Sequence, residues 1–512
     1  MSRASRLAWL LAAAAWASPA FAQESAPPAP DDRAAAEAEL HALQATKEEM
    51  QQRMGDFDAR IHALEDRLGA PHSPPAVLPA PIEGTPHGEA TPPLIEAQAD
   101  TGRGGAGGFM DKQERIGRYN PLKGWQVVDT PDTQLNIGLY TYARYFNQKG
   151  LDPTYVDSLG RTQTIDIRNE VQLYKVNLQF KGWLFDPKFR YLIFIWTNNS
   201  NQGEGAQVVL AGMLQYGVAK WLNISAGIMP LPTTRSTNYS FPKWLRNDNR
   251  VMADEFYRGS YTSGIEVFGE IVHGLNYRIM LGNNLSTLGV SSKQLDAKLD
   301  TLSGSLVWTP TTGEFGLANG FGDYDYHDRI ATLVGLHYTI STETAQGQPA
   351  VDSFENSQIR LTDGTLLFSS DPFGTGGKVE EARYRMASLD LGVKYKGFSL
   401  EGQYYWRWVD HFKTLGFVPV DHLFDQGYAL QASAMAVRDM LQPYASASKI
   451  WGPNGDPTEY SLGVNIYPFR RRELRVNLQG IKLNHSPAGG YHLPYPVGGN
   501  GWVFLTDWVL AF

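Results

Sequence analysis

The chain has 512 residues, of which 42% are hydrophobic, 12% aromatic and 19% charged, with 51 Gly, 30 Pro and no Cys. Its 53 acidic residues outnumber 45 basic ones, so phosphate neutralisation along a nucleic acid is excluded as a general mode of action. A disulfide framework, a zinc ribbon and a thiol nucleophile are excluded with it, since each needs cysteine.

Arg3 and Arg6 precede an apolar run from Leu7 to Ala17, followed by Ala20-Phe21-Ala22. This is the pattern of an export signal over 1–22, cleaved after Ala22, and the apolar run is too short to span a bilayer as a helix. Leu40, Leu43, Lys47, Met50, Met54, Phe57, Ile61, Leu64 and Leu68 follow with alternating spacings of three and four. That seam predicts a coiled-coil helix over 34–68, weakened by Lys47 in the seam and by Gly55, and buried through self-association. Residues 69–115 turn to Pro, Gly, Ala and small polar residues, including Gly102 to Gly108, and predict a linker. The glycine run lacks the Lys-Ser or Lys-Thr ending of a phosphate loop.

Beyond this point the period is two. Leu135, Ile137 and Leu139 alternate with Gln134, Asn136 and Gly138; Leu389, Leu391 and Val393 with Asp390 and Lys394; Leu462, Val464 and Ile466 with Ser461 and Asn465. Such strands have one apolar and one wet face, as in a soluble sandwich or a membrane barrel. The connections distinguish the two. Short ones near Asp186-Pro187, Ala219-Lys220, His273-Gly274, 311–327, Lys396-Gly397, 438–442 and 470–472 alternate with long polar ones at 147–164, 200–205, 231–259, 286–300, 342–382, 412–425, 452–458 and 485–500. Seven turns and eight loops separate sixteen strands, and the even count is that of an outer-membrane barrel. The apolar parity flips near Tyr174, which predicts a bulge, and 311–327 is long for a turn. Trp502, Phe504, Trp508, Leu510 and the terminal Phe512 share one face, as a lipid-facing closing strand requires, and Phe512 resembles the signal read by the barrel assembly machinery. Tyr404, Trp406 and Trp408 predict an aromatic belt. The fold class is therefore an all-β transmembrane barrel of sixteen antiparallel strands over 125–512, preceded by a periplasmic coiled-coil helix, in the outer membrane of a Gram-negative bacterium.

Several patches in this region resemble the phosphate-selective porin O and P family. They are Lys175 to Gly182, Gly227-Ile228-Met229-Pro230-Leu231-Pro232, Gly320 to His327, and Gly463-Val464-Asn465-Ile466-Tyr467. The resemblance implies a homotrimer whose third loop folds into the lumen and forms the constriction, passing small anions such as phosphate or polyphosphate. That loop, Leu231 to Gly259, carries Arg235, Lys243, Arg246, Arg250 and Arg258 against Asp248, Asp254 and Glu255, five basic residues against three acidic. Two readings stay open: guanidinium groups that attract anions, or charges that are solvated or paired. Strand parity places Arg144, Arg190, Arg278, Lys394, Arg407 and Arg475 inward, together with Glu266, Glu270, Asp390 and Glu401. No nucleophile constellation is readable among the eleven histidines, and no cofactor is implied, so the chain is expected not to be an enzyme. Two functions remain in competition: a passive anion channel, whose periplasmic coiled coil would help to set the trimer or reach toward the peptidoglycan of the cell wall, and a plugged barrel that anchors a periplasmic stalk.

Overall fold

The computed structural model describes residues 117–512, apart from 121–123, 199–206, 239–242, 291–293, 296–297, 314, 316–319, 350–357 and 491–492. The expected signal peptide over 1–22, the coiled coil over 34–68 and the linker over 69–115 lie outside the described residues.

Alternating segments pair as strands because a two-faced strand satisfies its backbone only through neighbours. In chain order they are β1 Thr133–Leu151, β2 Asn169–Leu184, β3 Asp186–Asn198, β4 Gln207–Ala219, β5 Leu222–Pro230, β6 Tyr261–Val272, β7 Leu275–Gly282 and β8 Thr301–Trp308. They continue as β9 Ala331–Thr344, β10 Lys378–Tyr395, β11 Phe398–Leu415, β12 His422–Ala434, β13 Leu441–Trp451, β14 Thr458–Ile466, β15 Leu474–Asn484 and β16 Gly501–Ala511. Each pairs antiparallel with the next, and β16 pairs with β1, with Asp507 opposite Arg144, so the sixteen strands close into a barrel. Phe512 exchanges two backbone hydrogen bonds of 2.8 Å with Leu139 and sets its ring against Trp125. β1 runs on past this point, and the strand Gly124–Asp129 pairs with the edge left over, Trp125 opposite Ile137.

The chain is polar within and apolar without. Asp507 is 0% exposed beside Trp508 at 48%, and Glu459 is 0% exposed beside Tyr460 at 56%. An outer wall of Leu, Ile, Val, Trp and Tyr is stable only against hydrocarbon, whereas inward charges need partners or water. Tyr404, Trp406 and Trp408 take the outward parity, opposite the buried Arg407. At Tyr174 the register shifts, Tyr142 facing Lys175 and Ala143 facing Leu173, so the extra residue turns both Tyr174 and Lys175 inward as a bulge does.

Long connections leave one end of the barrel (152–168, 199–206, 231–260, 283–300, 345–377, 416–421, 452–457, 485–500) and short ones the other, with one exception. The connection 309–330 belongs to the turn end yet folds into the lumen, burying Phe315 and Phe321. Its length follows from this: it is an insertion with its own apolar residues rather than a turn. From the loop end, 231–260 enters the lumen, and its helix α1 Met252–Tyr257 packs with Met386, Tyr405, Val409 and Ile450 of the β10, β11 and β13 walls. Ile359, Leu361 and Leu367 join the same cluster, while Leu493 and Tyr495 of 485–500 pack on Ile481, Leu483, Val503 and Leu505. Ser158 and Asp363, 2.6 Å apart, and Asn454 and Thr362 tie three of these loops together over the mouth.

Candidate functional site

The third loop, 231–260, is the centre of the lumen, and ion pairs with the wall hold it there. It opens on a short turn, Arg235–Thr237, where the Thr234 backbone N–H donates to Thr237 Oγ1. Arg235 pairs with Glu401 of β11, donates to the Gly320 carbonyl at 2.8 Å and lies over the rings of Phe315 and Phe321 at 4.9 and 4.6 Å. The loop from the mouth and the insertion from the opposite end thus meet at one guanidinium. The Phe321 N–H also donates to the Lys243 carbonyl at 2.9 Å. Gly320 has φ +67, and a Cβ there would lie 2.3 Å from that carbonyl, so only glycine allows the approach.

Arg246 pairs with Glu459 of β14, whose second oxygen accepts the Met252 N–H at 2.6 Å, placing a carboxylate at the start of α1. Arg258 holds Glu255 at 2.6 and 2.9 Å. Arg250 donates to Ser236 at 2.8 Å, stacks on Trp244 at 4.3 Å and lies 3.8 Å from Asp254 and 3.6 Å from Glu255. Asp248 takes Lys175 of β2 at 2.8 Å and the Tyr142 hydroxyl at 2.6 Å. Counting the loop alone leaves two positive charges over; the wall carboxylates Glu401 and Glu459 answer Arg235 and Arg246, while Asp248 of the loop answers Lys175 of the wall. Of the two readings of the loop arginines, pairing describes Arg235, Arg246, Arg250 and Arg258.

The inward strand residues divide into two sets. Arg144 pairs with Asp507 at 2.6 Å, Arg278 with Glu266 at 3.1 Å and Arg407 with Asp425 at 2.6 Å. Lys394 and Arg475 are buried too, but their partners are neutral. Lys394 Nζ donates to the Gly320 carbonyl at 2.8 Å, and Arg475 donates to the Trp244 carbonyl at 2.8 Å and to Asn247 Oδ1 at 2.9 Å. Neither forms an ion pair among the described residues. Arg190 lies near the turn end, where its Nε donates to the Pro187 carbonyl at 2.9 Å.

A cavity of about 60 Å³ remains between the loop and the β2–β6 wall. Lys175, Asn177, Trp244 and Arg250 line it on one side, and Phe194, Trp196, Met213 and Tyr261 on the other. The Phe194 and Trp196 rings stack at 5.0 Å, and the Tyr261 ring meets Trp196 at 5.7 Å. Asn177 is buried, lines the cavity, and its Oδ1 has no hydrogen-bond partner among the described residues. Sequence reasoning did not single out this wall. Its signal was present in β3, where Leu192, Ile193, Phe194, Ile195 and Trp196 break the alternation and make both faces apolar.

The buried histidines are engaged in support. His337 reaches Asp390 at 2.7 Å through Nε2 and the Pro232 carbonyl at 3.0 Å through Nδ1, bracing the entry of the loop. Among the described residues no cluster of His, Asp or Glu has the arrangement of a metal site.

Fold and lumen together define a sixteen-stranded β-barrel with a loop folded into its interior. The sequence matches no family model and no curated protein. Among solved structures it is similar to an anion-selective porin from Comamonas acidovorans, with 10% identity, covering 74% of this chain and 100% of that one, at a TM-score of 0.45. It is similar to OmpT, an outer membrane protein of Vibrio cholerae, with 9% identity over 76% of this chain and 99% of that one, at 0.47. The outer membrane channel DcaP of Acinetobacter baumannii gives 7% identity over 76% and 100%, at 0.43.

Proposed function

We propose that the protein is a passive outer-membrane channel for small anions, with the cavity beside the third loop as the place where a solute meets the wall. The observation that carries this reading is the pair of inward cations, Lys394 and Arg475, whose hydrogen bonds among the described residues go to carbonyl oxygens. In a lumen where Arg144, Arg235, Arg246, Arg250, Arg258, Arg278 and Arg407 answer carboxylates, these two bias the field that an entering ion meets. Arg235, Lys243, Arg246, Arg250 and Arg258 then act as the frame of the constriction, positioning the loop. The aromatic wall at Phe194 and Trp196 favours organic acids with an apolar body over bare phosphate, which gains nothing from such a surface. Phosphate or polyphosphate, the solute that the resemblance to phosphate-selective porins implies, is the alternative within the same anion-channel reading. A homotrimer, with residues 34–68 as a periplasmic coiled coil and 69–115 as its linker, belongs to the same proposal.

Reconstitution of the purified chain in planar bilayers tests it. Stepwise conductance with a reversal potential favouring anions is the expected result. A cation-favouring potential overturns the selectivity.

The second reading, a plugged barrel serving as an anchor, is favoured by the apolar clusters that fill the loop end of the lumen. It predicts correct insertion without conductance in the same experiment.

Phe512 is proposed as the assembly signal, and its backbone exchange with Leu139 gives it a second task in closing the seam. Deleting Phe512 removes both hydrogen bonds and the Trp125 contact. The expected outcome is loss of most of the folded species, seen as reduced heat-modifiable mobility on gels. Replacing it by Tyr, which keeps an aromatic terminus, restores that species.

A further inference from the structure

The outer wall carries charges at one place that hydrocarbon does not tolerate. On β10 and β11, at the loop end, Asp410 holds Arg383 at 2.9 Å and also pairs with Arg385. Beside them Glu381 takes Lys413 at 2.6 Å and Lys298 at 3.4 Å. All four cations are reachable from outside: Lys413 is 70% exposed, Lys298 47%, and both arginines 32%. Four cations thus gather around these two carboxylates.

Its height is fixed by the ladder. Arg385 lies opposite Trp408 and Arg383 opposite Asp410. Trp408 meets Phe424 at 5.6 Å, and Tyr404 meets Trp406 at 4.7 Å further down the same outward column. Aromatic belts mark the level where hydrocarbon gives way to headgroups, so the cations sit one step beyond it, at the depth of lipid phosphates. Register shifts around Glu381 and the positive φ of His411 re-aim the strand ends there and gather the charges on one outward patch. Arg383 spends only its Nε on Asp410, and its terminal nitrogens have no partner among the described residues. A guanidinium presented in this way offers paired donors to a phosphate oxygen, pre-set by the carboxylate behind it.

We propose that Arg383, Arg385, Lys413 and Lys298 form a docking site for the phosphorylated headgroup of a lipid in the leaflet at the loop end of the barrel. The proposal rests on the outer-membrane reading and on the loops facing outward, but not on conductance. A subunit contact is the competing occupant. The position of the cations one step beyond the aromatic belt, at headgroup depth, favours the lipid.

The test uses the full mature chain, purified in detergent, and native mass spectrometry with three lipids of identical acyl chains: diphosphorylated lipid A, its monophosphorylated form and its dephosphorylated form. The wild type is expected to retain the diphosphorylated lipid roughly tenfold better than the dephosphorylated one, a difference of about 1.4 kcal/mol. The triple variant R383Q/R385Q/K413Q should lose that preference while keeping its heat-modifiable mobility, and the variant R383K/R385K should keep most of it. Equal retention of the three lipids by the wild type, or an undiminished preference in the triple variant, overturns the proposal. So does a triple variant that changes subunit stoichiometry while its lipid preference stays. Because the chain has no cysteine, Asp421→Cys in the exposed loop 416–421 gives a single label. Labelling of intact cells at that position separates failure of the outward orientation from failure of the lipid site.

Discussion

Replacing Lys394 and Arg475 together by glutamine moves the reversal potential of the channel towards cations. A unit charge about 8 Å from the path of an ion, at an effective dielectric of about 40, contributes about 1 kcal/mol, so each removal lowers the local preference for anions roughly fivefold. The pair of substitutions is then worth roughly 25-fold if the two act independently. Glutamine still donates to the Gly320, Trp244 and Asn247 oxygens that these residues now serve, so the frame is kept. The matched control is Arg235→Gln with Glu401→Gln, which removes one charge of each sign from a single buried pair. Its potential should stay close to that of the wild type. Equal shifts in the two variants would show that selectivity follows the number of basic residues in the lumen and not the lack of a carboxylate partner.

Arg246→Met frees the third loop. Glu459, fully buried, loses its counter-ion while still accepting the Met252 N–H, and a stranded buried carboxylate costs about 3–5 kcal/mol. The barrel ladder is untouched, so the cost falls on the loop, which is anchored elsewhere by Arg235 and by α1 against the wall. Limited proteolysis from the loop end should cut within 231–260 in this variant and not in the wild type, and the single-channel conductance should rise and become noisy. Adding Glu459→Leu removes the stranded charge and should restore protection, because a well-packed apolar pair replaces a buried ion pair at little cost. Unchanged proteolysis in Arg246→Met would mean that the ion pair contributes nothing to holding the loop.

The barrel was legible because its two solvents leave a mark on each strand. Leu391 beside Asp390 or Trp508 beside Asp507 records oil on one side and a polar lumen on the other, and no tertiary knowledge is needed to read it. The alternation of short and long connections gave the even strand number in the same way. The bulge at Tyr174 was readable as a break in parity. The long connection near 311–327 was readable only as an anomaly. That it enters the lumen and meets the third loop at Gly320 depends on Phe315 and Phe321 finding Arg235, a contact between residues with no sequence relation.

The candidate site was legible in its residues but not in its charge balance. Parity and loop composition named Arg235, Arg246, Lys394 and Arg475 alike, and nothing local separates them. Periodicity reports which side of the wall a side chain faces, because that depends on the residue and its immediate neighbours. Whether a buried cation is neutralised depends on what stands across the lumen: Glu401 for Arg235, Glu459 for Arg246, and bare carbonyls for Lys394 and Arg475. The alternating pattern by itself thus determined a barrel with oil outside and polar groups inside. Only the tertiary structure decided which charges a solute would meet, since electrostatic pairing is set by distance in space and is indifferent to order along the chain.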